Sequence, residues 1–150
     1  MSINPALQGH SYPAGEAYVV SREKIREFAA ATKSSNRAHY DLEAATGLGH
    51  ADLVAPPTFA IIVAQRADAQ LVADPEAGID FSRVVHADQR FTLHRPIVAG
   101  DELVAALHVD KVRSMGSGAM ITTRAEITTT DGAAVATTVS SILVRGEEAA

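Results

Sequence analysis

The stretch Glu102-Leu103-Val104-Ala105-Ala106-Leu107-His108-Val109-Asp110 decides the fold class, because Leu103, Ala105, Leu107 and Val109 recur at every second position. Successive side chains of a strand point to opposite faces, so this set is buried together and the segment reads as a half-buried β-strand. The same period persists from Ser82 onward and predicts strands near 83–95, 102–113, 118–130 and 133–145. Gly100-Asp101, Met115 to Gly118 and Asp131-Gly132 punctuate them, and Asp-Gly is a strong signal for a tight hairpin. Returns this short require antiparallel pairing.

Upstream the period is helical. After Ala55-Pro56-Pro57-Thr58, the residues Phe59, Ile62, Val63, Ala67, Gln70 and Leu71 recur at three- and four-residue steps and predict a long central helix. Ala73 to Gly78, with Pro75, supplies the loop that ends it. Ser21 is a good N-cap for a first helix carrying Glu23, Ile25, Phe28, Ala29 and Thr32. Asp41 caps a shorter second helix, which Gly47 or Gly49 ends. With an early strand around Tyr18 to Val20, the pattern is α+β, a long helix covering the apolar face of an antiparallel sheet. The expected organisation is a single domain over 1–150, with a flexible tail from about Gly146.

Composition narrows the function classes. Hydrophobic residues make up 47% and charged residues 21%, the balance of an ordinary globular chain. The net charge of -5 comes with scattered Lys and Arg, so no basic stripe is available for a phosphate backbone and nucleic acid is not an expected partner. The longest apolar run, Phe59 to Ala64, falls far short of the ~20 residues of a membrane-spanning helix, and no leader pattern opens the chain, so the expectation is a cytoplasmic protein without a membrane partner. The absence of cysteine excludes disulfides and thiolate chemistry. His86 and His94 share a strand but stand ~25 Å apart, too far to hold one ion, and neither a metal site nor a cofactor is expected.

The functional signal lies in Thr32-Lys33-Ser34-Ser35-Asn36-Arg37-Ala38-His39. This segment resembles the Gly-Asp-x-Asn-Pro-x-His signature of the MaoC-like (R)-specific enoyl hydratases and hydroxyacyl dehydratases, with Asn36 and His39 in register and Ser34 where the aspartate stands. Three further blocks extend the resemblance over nearly the whole chain: Ser21 to Ala29, Leu53 to Phe59, and His86 to Asp101, whose Phe91 to Asp101 portion matches an aromatic-x-x-x-Pro-Val-x-x-Gly-Asp pattern. The likeness is greatest to the actinobacterial branch of (3R)-hydroxyacyl thioester dehydratase subunits, and it implies the hotdog fold.

The resemblance implies syn addition or removal of water across the α,β bond of an acyl thioester. A carboxylate and an imidazole share that work, and a backbone N–H at the start of the central helix holds the thioester carbonyl. Two departures stand against it. Ser34 is not an acid, and the residue at the carbonyl-holding position is Pro57, which has no N–H to donate; Thr58 or Phe59 is the alternative donor. The resemblance therefore implies a degenerate subunit of fatty-acyl metabolism, with His39 and Asn36 as remnants of the catalytic set and Pro57, Thr58, Phe59, Ile62 and Val63 as acyl-binding surface. Its implied partners are an acyl-CoA or acyl-carrier-protein thioester and a MaoC-like catalytic subunit, or a second copy of itself.

Other readings stay open at this level. One is an autonomous hydratase combining His39 with Asp41 or Asp88; another is a non-enzymatic acyl-binding homodimer. A thioesterase built on Asp68 of the central helix is a fourth. Arg22, Lys24 and Arg26 suit either an anionic carrier or a solvated helix face, since Glu23 and Glu27 lie among them.

Overall fold

The computed structural model describes residues 3–146. The expected tail thus falls largely outside the described residues, although the carbonyl of Gly146 accepts a hydrogen bond from the Arg83 guanidinium at 2.6 Å. Two short strands, β1 (Ser11–Tyr12) and β2 (Tyr18–Val19), precede helix α1 (Arg22–Ala31) and helix α2 (Leu42–Gly47). A tight turn over Pro57–Phe59 opens the central helix α3 (Ala60–Ala73), and four long strands follow: β3 (Val84–Leu93), β4 (Glu102–Met115), β5 (Gly118–Thr129) and β6 (Ala134–Val144). The helices and long strands fall where the sequence periods place them; β1 is additional, because a two-residue strand has no period to read.

The caps behave as expected. The Ser21 hydroxyl accepts from the Lys24 N–H at 3.0 Å, and the Asp41 carboxylate from the Glu43 N–H at 3.3 Å. Of the two glycines that the sequence offers to close α2, the left-handed residue is Gly49, with φ of 91°; Gly47 is still helical.

All strands pair antiparallel in one sheet of order β1-β4-β5-β6-β3, with β2 also paired to β4. Alternation selects the buried face: Leu103, Ala105, Leu107 and Val109 of β4 and Ile121, Ala125 and Ile127 of β5 point toward α3. The helix meets them with Ala60, Val63, Ala64, Ala67 and Leu71. Three of these five are alanines, so the helix axis lies close to the sheet while Leu103, Leu107, Ile121 and Ile127 supply the bulk. The result is the hotdog arrangement, a curved antiparallel sheet wrapped around one long helix.

The Pro96 to Asp101 segment closes the architecture. Arg95 and Asp101 form a two-pronged ion pair at 2.9 and 3.1 Å, and the same carboxylate accepts from the Val98 N–H at 2.9 Å. This fixes Ile97 to Ala99 as an extended edge. Against it the Leu53 to Ala55 backbone is bonded, through Ala55 N–H to Ile97 carbonyl at 2.8 Å and Ala99 N–H to Leu53 carbonyl at 2.9 Å. Asp101 is mostly buried, so its truncation removes charge-assisted bonds that water cannot fully replace. Asp101→Ala is expected to lower stability by about 2 kcal/mol in urea denaturation, against less than about 0.5 kcal/mol for the exposed neighbour Glu102→Ala.

Candidate functional site

The loop carrying the degenerate signature begins where α1 stops. Its last turn closes with two reversed bonds, Lys33 N–H to Ala30 carbonyl at 3.1 Å and Ser34 N–H to Ala29 carbonyl at 2.8 Å. Such a closure requires a left-handed residue, and Lys33 adopts φ of 59°, the one non-glycine to do so among the described residues. In the register that places Ser34 at the aspartate, Lys33 stands at the signature's glycine. Lys33 thus holds, at the signature's glycine position, a conformation that favours glycine. Lys33→Gly is expected to raise stability by about 0.5–1 kcal/mol, read as a higher urea midpoint, because it removes the left-handed strain of an L-residue.

The loop is then clamped. Tyr40 donates its hydroxyl to the Ser34 carbonyl at 2.6 Å, and the Asn36 side chain caps a tight turn over Arg37–His39 by accepting from the Ala38 N–H at 3.0 Å. This turn puts His39 in the interior, 5% exposed. Its Nδ1 lies 2.7 Å from the Val54 carbonyl, which can only accept, so Nδ1 carries the proton of that bond and Nε2 is the ring nitrogen left free of it. Val54 N–H in turn bonds the Ala38 carbonyl at 3.2 Å. One extended segment thus holds the imidazole and, three residues later, begins the turn into α3.

That turn settles which backbone donor is free. Phe59 N–H is used by the Pro56 carbonyl at 2.9 Å, and Pro57 has none. Thr58 is exposed, and its N–H makes no hydrogen bond among the described residues. Of the two alternatives raised by the sequence, Thr58 is the one able to hold a carbonyl oxygen.

The carboxylates offered as replacements for the missing acid are engaged elsewhere. Asp41 caps α2 and pairs with Arg37 at 3.2 Å, and Asp88 pairs with Arg90 at 3.3 Å on β3. Among the helix cations, Lys24 pairs with Glu27, Arg26 with Glu23 and Arg22 with Asp52, which is a solvated, internally neutralised face. Of the apolar residues assigned to acyl binding, Phe59 is fully enclosed against Phe28 and Tyr18, with ring centroids 5.4 and 6.4 Å away, and Val63 is buried as well. Both are core in this chain. Ile62 is half-buried, and Pro57 and Thr58 are exposed.

One step round the helix, Ile61, Gln65, Asp68 and Val72 face β3 across a cavity of about 640 Å³. Asp68, on which the thioesterase reading was built, lies there. Burial pushes its carboxyl up to about 6 from 3.8, partly offset by His86 and by a bond from Thr123. The folded protein therefore binds this proton more tightly than the unfolded chain, and stability falls as pH rises from about 4 to 6 and stays reduced above. Asp68→Asn removes that dependence. It is expected to stabilise the protein by about 2 kcal/mol at pH 8 and little at pH 4, measured as the shift in urea midpoint.

A curved sheet around a central helix, carrying a signature loop beside the helix start, defines a hotdog protein of the hydratase and dehydratase type. Residues 6–138 match the family model described as FAS1-like, dehydratase domain region. The chain belongs to this FAS1-like dehydratase family of MaoC-like hotdog proteins. It is 54% identical to a UPF0336 protein of Leifsonia xyli subsp. xyli over 97% of this chain and 98% of that one. It is similar to a chain of the C-terminally truncated HadBC (3R-hydroxyacyl-ACP dehydratase) complex of Mycobacterium tuberculosis, with TM-score 0.83, 33% identity, and coverage of 91% of this chain and 96% of that chain. A MaoC-like dehydratase is comparably similar, with TM-score 0.85 and 32% identity, and the match covers 94% of this chain but 43% of that one. No helix among the described residues is long and apolar enough to cross a membrane.

Proposed function

We propose that this chain is the substrate-binding, catalytically degenerate subunit of a (3R)-hydroxyacyl thioester dehydratase of fatty-acyl metabolism, paired with a MaoC-like hotdog subunit that supplies the carboxylate and imidazole. The observation that carries the reading is the loop at Ser34. Its backbone conformation, Asn36 cap and His39 are all in place, while the acid is absent and both nearby substitutes are tied to arginines.

Dehydration needs one group to take the proton from the α-carbon and another to give a proton to the departing hydroxyl. His39 Nε2 is able to accept or relay a proton, but Ser34, un-ionised at neutral pH, is not an acid to complement it. The partner therefore supplies the chemistry. This chain offers Thr58 N–H for the thioester carbonyl and the cavity beside α3 for the acyl chain.

The partner's place is suggested by the sheet edge. Among the described residues β3 pairs only with β6, and it leaves Val85 and Leu93 exposed. Unpaired backbone flanked by apolar side chains favours pairing with another strand, and the bulge between His86 and Asp88 and the charges of Asp88 and Arg90 make that edge selective. The similar HadBC chain comes from a complex of two subunits, which supports a hotdog partner over a second copy of this chain.

The test is enoyl-thioester hydration by the purified chain, alone and co-expressed with a hotdog protein bearing an intact Gly-Asp-x-Asn-Pro-x-His segment. Negligible activity alone and at least about a hundredfold gain in the complex, lost on mutating the partner's aspartate, is the expected result. Robust activity of the lone chain, abolished by His39→Ala, would overturn the reading in favour of an autonomous hydratase.

A further inference from the structure

The cavity beside α3 is walled by Ile61, Val72, Phe81, Val84 and Ile142, and such a lining alone suits a plain hydrocarbon chain. Its centre is different. Gln89, Ser140 and Thr123 are direct register partners across β3, β6 and β5, so they form one rung on the face that looks at the helix. The neighbouring rung joins Ile121, Ile142 and His86 across β5, β6 and β3, with the two isoleucines as its apolar part. From there His86 reaches the polar rung, its Nε2 3.0 Å from Gln89 Oε1 and 3.4 Å from Ser140 Oγ. Asp68 lines the opposite wall of the same cavity.

A carboxylate accepts about four hydrogen bonds, and Thr123 is the one side chain whose bonding bears on the Asp68 carboxyl. Neither carboxylate oxygen is sealed off without a partner, and packing does not require an acid there, since an apolar residue at position 68 would complete the wall. The spare acceptor capacity faces the cavity. It calls for a ligand group that donates, which a methylene chain does not.

Position along the helix says which part of the ligand this is. Asp68 lies ten residues beyond Thr58, about 15 Å along the helix. The reacting carbons of a thioester whose carbonyl sits at Thr58 do not reach it. The tail does.

We propose that the Asp68, Thr123, Ser140 and Gln89 cluster is a subsite for a hydroxyl group carried far along the acyl chain, so that the protein selects hydroxylated over plain acyl tails. The inference rests on the acyl-binding reading above and deepens it. Asp68 accepts from the hydroxyl, and the rung opposite, through Ser140 or Gln89, donates to its oxygen.

The test compares dodecanoyl-pantetheine with ω-hydroxydodecanoyl-pantetheine, which carry the arm common to both thioester carriers. Binding to the full chain is measured at pH 8 by calorimetry and by amide shifts of Thr123 and Ser140. The hydroxylated thioester is expected to bind at least about tenfold more tightly, as one hydrogen bond to a charged group permits. Asp68→Leu is expected to reverse that preference, and Ser140→Ala to reduce it severalfold while retaining a folded amide spectrum. If both thioesters bind and shift these amides with equal affinity, or the plain chain binds better, the subsite inference is overturned and the acyl-binding reading stands. If neither binds, both fall.

Discussion

The structure depends on one short piece of extended backbone, Leu53 to Ala55, which is hydrogen-bonded on two sides. On one side it pairs with Ile97 to Ala99, including the bridge between Val54 and Val98. On the other it binds the Ala38 backbone and the His39 ring. Buried backbone groups must find partners, and here each partner belongs to a different part of the fold. The Arg95–Asp101 latch sets the first side, the end of α1 and the Arg37–His39 turn set the second, and the segment's C-terminal end aims α3 into the sheet.

This arrangement separates positioning from chemistry. His39 is held by a main-chain carbonyl, not by the residue at position 34, and the loop before it is held by Tyr40 and by main-chain bonds from Lys33 and Ser34. None of those contacts uses a carboxylate. The acid can therefore be lost without the loop collapsing, as long as the backbone still accepts a left-handed residue at Lys33. The shape of this loop is thus a physical consequence of main-chain support and does not depend on an acid at position 34.

Much of the fold was legible because it rests on local rules. Alternation in Leu103 to Val109 located the sheet face, Ser21 and Asp41 announced the caps, and Asp131-Gly132 gave the hairpin, with Gly132 at φ of 94°. What escaped was non-local. The Pro96 to Asp101 pattern read as a generic strand end, because its carboxylate bonds to Val98 and Arg95 and its effect on Leu53 to Ala55 appear only in three dimensions. Phe59 and Val63 fit the helical apolar stripe, but a stripe does not say which of its residues the sheet encloses and which border a cavity. The left-handed Lys33 carried no signal, since lysine gives no hint of that conformation.

Asp68 shows why the remainder could not be read from periodicity. At its position the helix faces neither plain solvent nor the apolar core, but a rung assembled from three strands whose members are more than thirty residues apart where the rung joins β5 to β3. Thr123 and Ser140 look like ordinary tolerated polar residues in their own strands, and Gln89 like an edge residue. Only register brings them together. A buried polar cluster costs stability unless its hydrogen-bonding capacity is filled, and here the rung fills part of Asp68's capacity and leaves the rest toward open space. The fold alone does not call for that residual capacity, whereas the Arg95–Asp101 latch, equally polar, is closed on itself. The contrast between a carboxylate closed on itself that builds the scaffold and one that is open toward a cavity is the physical basis for assigning structure to the first and recognition to the second.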